Sequence, residues 1–163
     1  MQSASLIATG PLGASTALLR QRRSRTLEGQ VQLLAATIFA EARSEGVRGM
    51  RCVAHVIQNR VGSRFGQTMA EVIMKPWQFS AWNRGDPNRK IALNPERYAR
   101  SAGDRAAWAA AQSIALEVVE GRSVDPTGGA LFYHTRGVRP SWASAGVGKR
   151  VIGQHIFYRD VRG

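Results

Sequence analysis

Residues 31–43 read VQLLAATIFAEAR, and this stretch constrains the fold more than any other. Val31, Leu34, Ala35, Ile38, Phe39 and Ala42 recur at helical spacing and give one apolar face. Thr26 or Ser24 is placed to cap the start, with Glu28 near the positive end of the helix dipole. Gly46 is placed to stop the helix. Glu41 follows Ile38 at the edge of the stripe, where a carboxylate is partly desolvated.

A second helix is predicted over residues 49–61, with Met50, Val53, Ala54, Ile57 and Val61 on its buried side and Gly62 and Ser63 closing it. Thr68 and Glu71 form a capping box before a short helix carrying Val72 and Ile73, which Pro76 ends. Residues 76–97 have no sustained period and read as a long loop or a set of short turns, the kind of segment that often carries function. Helix returns over 104–120, with Ser101 and Asp104 at its start and Gly121 at its end. Residues 130–134 and 151–158 read as strands, with a mobile, Gly-rich stretch carrying Trp142 between them. The pattern is α+β, mainly helical, with a small late sheet.

The length of 163 residues suits one core. Residues 1–26 hold Arg20, Arg22, Arg23 and Arg25 behind a weakly apolar start, the reverse of the order in a secretory signal. They read as a basic, flexible N-terminal segment before a catalytic domain over 27–163. Lys and Arg number 23 against 11 Asp and Glu, a net charge of +12, which draws the chain to a polyanion: nucleic acid, anionic lipid or the bacterial wall. No apolar run reaches the ~18 residues of a membrane-spanning helix. Cys52 is the only cysteine, so an internal disulfide is excluded, and its apolar helical setting marks it as a small buried hydrophobe.

The chemistry-bearing residues are few. Glu41 and Glu45 share a helical face near its C-terminal end, where the dipole raises a carboxyl pKa. That suits a general acid, and it suits equally an ordinary pair salt-bridged to Arg43 or Arg48. Trp77, Phe79 and Trp82 alternate with Gln78, Ser80 and Asn83. Such rings stack on sugars or bases, or fill a core. His55, His134 and His155 lie far apart, and no zinc or nucleotide motif is present.

Taken together, FAEARSEG at 39–46, AHVIQNRV at 54–61, Phe65, Thr68, Pro76, QFSAW at 78–82, DPTGGALFYH at 125–134, Trp142 and IGQHIFY at 152–158 are in a specific order. The chain resembles the spore-cortex-lytic and cell wall hydrolase family of the SleB and CwlJ type, over roughly residues 31–159. It departs from the family's Glu-Ala-Arg-Gly-Glu pattern at Ser44, where Gly is usual.

The resemblance implies a lysozyme-like, lytic-transglycosylase-like α+β fold with a small antiparallel sheet. It implies Glu41 as the catalytic acid and a supporting role for Glu45. A substrate groove is expected from Glu45, Gln78, Phe79 and Trp82 on one side and Tyr133, His134 and Trp142 on the other. The implied partner is the glycan strand of peptidoglycan, cut at the bond between N-acetylmuramic acid and N-acetylglucosamine by a monomer acting at the cell wall without cofactor or metal. A short catalytic domain of this kind looks like a phage or prophage endolysin. A water-using muramidase, a metal-dependent wall amidase, a basic nucleic-acid-binding module and a non-catalytic structural protein are the rival readings.

Overall fold

The computed structural model describes residues 11–162. Helix α1 runs Pro11–Ala42, followed by a 3-10 turn Arg43–Glu45 and α2 at Gly46–Arg60. Then come α3 (Met69–Met74), a 3-10 turn Ser80–Trp82, α4 (Arg89–Leu93), α5 (Pro95–Tyr98) and α6 (Ala102–Val119). The chain closes with β1 (Phe132–Thr135), a 3-10 turn Ser141–Ala145, β2 (Gly146–Val147), β3 (Arg150–Ile152), β4 (His155–Tyr158) and β5 (Asp160–Val161). One antiparallel sheet has the order β1-β4-β3, and β2 pairs with β5. This is the α+β architecture the sequence pattern predicts.

Helix α2 is the axis of the packing. Its Met50, Val53, Ala54 and Ile57 join Leu34, Ile38 and Phe39 of α1 and Ala111, Ile114 and Ala115 of α6 in the main core. Its opposite side, through Cys52 and Val56, packs on Ala130, Ile152 and Phe157 of the sheet region. A one-sided stripe was expected; the sheet covers the second side, so α2 is buried on both. Burial pushes the Cys52 thiol up to about 11, as befits an inert core residue.

Several boundaries differ from expectation. The first helix does not start at Thr26 or Ser24: it begins at Pro11. Thr26 sits inside it, its hydroxyl donating to the Arg22 carbonyl. The 1–26 segment, expected to be loose, is thus helical from residue 11, because Ala, Leu, Gln and Arg dominate there and favour helix; residues 1–10 lie outside the described residues. α1 ends at Ala42, and the Arg43 guanidinium returns to the Phe39 and Ala40 carbonyls at its C-terminus. Gly46 marks the break with φ 69°, a left-handed conformation that glycine adopts freely.

Of the two readings of the 76–97 segment, a long loop or a set of short turns, the structure has the second, with several of the turns helical. Residues 151–158 form a hairpin, not one strand, because Gly153 takes φ 57° and reverses the chain between β3 and β4. The Thr68–Glu71 capping box and the Ser101 cap are both present as predicted.

Candidate active site

Glu41 lies on the last turn of α1, and the 3-10 turn Ser80–Trp82 is laid across it. The Ala81 backbone N–H donates to Glu41 Oε1 at 2.7 Å, and the Ser80 hydroxyl reaches the same oxygen at 3.4 Å. One helical turn back, Thr37 anchors the same segment: Trp82 Nε1 donates to the Thr37 hydroxyl at 3.0 Å, and that hydroxyl donates to the Leu33 carbonyl at 2.7 Å. Arg89 closes the far side by donating to the Trp82 carbonyl. The turn is therefore fixed to α1 at two successive levels.

Glu41 has no salt bridge among the described residues. Burial raises its pKa above the ordinary 4.5, and the nearby charge of Asp86 adds to the rise; the Ala81 and Ser80 bonds work the other way. Tyr133 shares this electrostatic neighbourhood. Its phenol is pushed well above the usual tyrosine range, first by burial and then by the Glu41 charge, so it stays a hydrogen-bond donor. The site thus offers a carboxyl biased towards its protonated form beside a neutral phenol, a pairing suited to proton donation.

Arg60 knits the two halves together. Its guanidinium donates to the Leu131 carbonyl at 2.7 Å and to Gln78 Oε1 at 3.1 Å, and it lies 4.5 Å from the Phe65 ring centroid and 5.4 Å from that of Phe79. Burial lowers its pKa to about 10.

The expected groove residues divide. Gln78 is half-buried beside Arg60, with its carbonyl engaged and its amide N–H groups without a partner among the described residues. Phe79 is a correction: at 1% exposure it is core, not a sugar platform. Trp82 is half-buried, packed on the core with its N–H spent on Thr37, so its first role is to hold the turn. Glu45 lies 3.8 Å from His155 Nδ1, towards the start of β4. Gly49 lets it pack there, since a Cβ at that position would fall 2.2 Å from the Glu45 Cβ.

Tyr133 and His134 are neighbours on a strand, and their side chains point to opposite faces. Tyr133 packs with His155 and Phe157. His134 stacks on Tyr158 and meets Trp142 on the other face. His134 and Trp142 therefore do not share a wall with Tyr133, which corrects the expected grouping. The two-residue period of β1 contains that answer.

The sequence reading missed Thr37 and Arg60, whose roles exist only through partners remote in the chain. It left Trp77 between core and surface. That ring is 84% exposed, and its backbone takes φ 66°, rare for a bulky residue. Asn83 Oδ1 accepts the Trp77 N–H at 3.1 Å and holds this conformation.

His55 bonds Ser123, and Asp125 is occupied by Thr127, Gly129 and Asn59. Among the described residues no three His, Cys, Asp or Glu side chains are grouped to hold a metal ion. No helix among them is long and apolar enough to cross a membrane.

The fold and the sequence place the chain in a known class. The family model described as Cell Wall Hydrolase matches residues 44–158, and the chain belongs to that family. The match opens just past Glu41 and includes Glu45. The spore cortex-lytic enzyme of Bacillus cereus is 34% identical over 134 residues, covering 80% of this chain and 44% of that protein. That of Oceanobacillus iheyensis is 33% identical over 132 residues, covering 80% and 41%. The chain thus spans less than half the length of these curated relatives. The crystal structure of the catalytic domain of the Bacillus cereus SleB protein superposes with a TM-score of 0.58 at 28% identity, covering 80% of this chain and 90% of that one. The fold is lysozyme-like.

Proposed function

We propose that this chain is a peptidoglycan lytic enzyme that cleaves the β-1,4 bond between N-acetylmuramic acid and N-acetylglucosamine, with Glu41 as the general acid. The observation that carries the reading is the state of Glu41: a carboxyl without a cation partner among the described residues, biased towards protonation by burial, and held in place by the Ala81 N–H. Membership of the cell wall hydrolase family supports the substrate class. The net charge of +12 holds the enzyme near an anionic wall. The place of action is the cell wall, and the working form is a monomer.

The route is that of a lytic transglycosylase. Glu41 gives its proton to the bridging oxygen as the bond to C1 of the muramic acid breaks, and positive charge develops on that ring. The resulting carboxylate then takes the proton of the C6 hydroxyl as its oxygen closes onto C1. The product is a 1,6-anhydro sugar, Glu41 is protonated again, and no water is consumed. The Ala81 N–H and the Ser80 hydroxyl orient the carboxyl, and Tyr133 adds a neutral phenol to the same electrostatic neighbourhood. Gln78 offers its free amide N–H groups to the sugar, and the open Trp77 ring supplies a stacking face.

One observation favours a second route. Asp86 is the carboxylate whose charge is felt at Glu41, which makes it the candidate base for a water-using muramidase. Fragments released from purified peptidoglycan distinguish the two, because the anhydro product is lighter by one water. Glu41→Gln is expected to lose lysis by about 10²-fold or more while keeping its fold by circular dichroism. Full clearing by that variant overturns the assignment of Glu41. New amino groups in place of new sugar ends would overturn glycosidic cleavage itself.

A further inference from the structure

The segment that leaves β1 and returns at β3 carries Arg136, Arg139 and Lys149 to the rim of a cavity of about 310 Å³. The cavity lies on the His134 side of the sheet and shares no residue with the neighbours of Glu41. None of the three cations has a carboxylate partner among the described residues. Like charges around one cavity repel, and an entering anion relieves that repulsion.

The floor is rigid. Tyr158 is 4% exposed, and its hydroxyl lies 3.1 Å from His134 Nε2. His134 Nδ1 bonds the Thr135 carbonyl at 2.8 Å, which fixes the ring. Trp142 meets both rings edge-on, with centroids 5.6 Å away. Gly146 lies flat on the Tyr158 ring, where a Cβ would fall 2.3 Å from Cδ1. Ile156 and the more exposed Val138 add apolar wall beside the rim charges.

We propose that this cavity binds an oxyanion group, a carboxylate or a phosphate, carried by the wall polymer, and so anchors the enzyme apart from its cutting site. The wall as the source of that anion rests on the function proposed above; the anion site itself does not. Arg side chains match oxyanion geometry, and the cavity has room for the group and the chain next to it.

The test uses the full chain carrying Glu41→Gln, so that digestion cannot obscure binding. Arg136, Arg139 and Lys149 are changed together to Gln; a control of equal charge changes the exposed Arg20, Arg22 and Arg23 to Gln. Phosphate or acetate, titrated at constant ionic strength, is expected to raise the Tm of the parent and not that of the cavity variant. Binding to purified wall sacculi is expected to fall about tenfold with the cavity variant and far less with the control. Loss only on sacculi that retain their phosphate polymers identifies phosphate; loss on stripped sacculi as well identifies stem-peptide carboxylates. An equal fall in both variants, or a Tm that neither anion moves, overturns the proposal. Arg139→Gln alone serves if the triple variant does not fold. Lysis by the Glu41-intact chain is scored separately, so failure of the acid and failure of the anchor give different results.

Discussion

The Trp82 indole donates to the Thr37 hydroxyl at 3.0 Å, one helical turn behind Glu41. The bond ties the turn that positions Glu41 to the helix that bears it. Thr37 is fully buried, so Thr37→Val keeps the volume and leaves the indole N–H without an acceptor. The expected cost is about 1–3 kcal/mol of unfolding free energy in urea denaturation. Lysis should fall as well, because the Ala81 N–H loses its registration on Glu41. Unchanged stability and rate would show that the clamp is dispensable.

Glu41 sets a pH dependence of known sign. Its pKa is raised in the folded chain, so the folded state holds this proton more tightly than the unfolded state does. The associated stabilisation is complete below the ordinary value of 4.5 and is lost as pH rises through the folded value. Glu41→Gln carries no charge to desolvate. It should therefore melt at or above the parent temperature at neutral pH, and the gap should close below 4.5. Lysis by the parent should decline on the alkaline side as the carboxyl ionises. A gap that widens on acidification contradicts this account.

Arg60 combines a buried charge with a fork of donors to Leu131 and Gln78. Lysine keeps the charge and loses the planar fork. Arg60→Lys should cost about 1–3 kcal/mol, and it should raise KM more than it lowers kcat, since Gln78 is freed while Glu41 keeps its partners. Equal effects on both constants would place Arg60 nearer the chemistry.

Trp77 separates strain from function. Its φ of 66° disfavours every L side chain, so Trp77→Gly should be more stable than Trp77→Ala by about 1 kcal/mol. Both should bind glycan fragments more weakly than the parent, because the stacking face is gone. A glycine variant with parental affinity would reduce Trp77 to an exposed ring without a role.

The framework that carries the site was already legible in local spacing, while the role of Glu41 was legible only through the family resemblance. The stripe through Ile38, Phe39 and Ala42 puts Glu41 on a helix edge, the Thr68–Glu71 box caps α3, and Ser101 caps α6, all through neighbours within about four residues. The 76–97 segment was harder to read, since α4 and α5 are too short to establish a period. Phe79 and Trp77 are two residues apart and similar in character, yet one is core and the other open. Nothing in their local sequence distinguishes them; the difference comes from the main core and the Arg60 guanidinium enclosing Phe79, and from Asn83 accepting the Trp77 N–H.

The sequence by itself determined the main course of α1, α2, α3 and α6, the caps of α3 and α6, the α+β class and the place of Glu41 on a helix edge, because each follows from contacts within a turn or two. Tertiary structure decided what surrounds Glu41. Ala81, Ser80, Asp86 and Tyr133 arrive from 39 to 92 positions away in the chain, and only folding brings their dipoles and charges to bear on its proton. It also set His134 and Trp142 on the far face of β1 from Tyr133, since the alternation of a strand selects a side only once the sheet has a core to face.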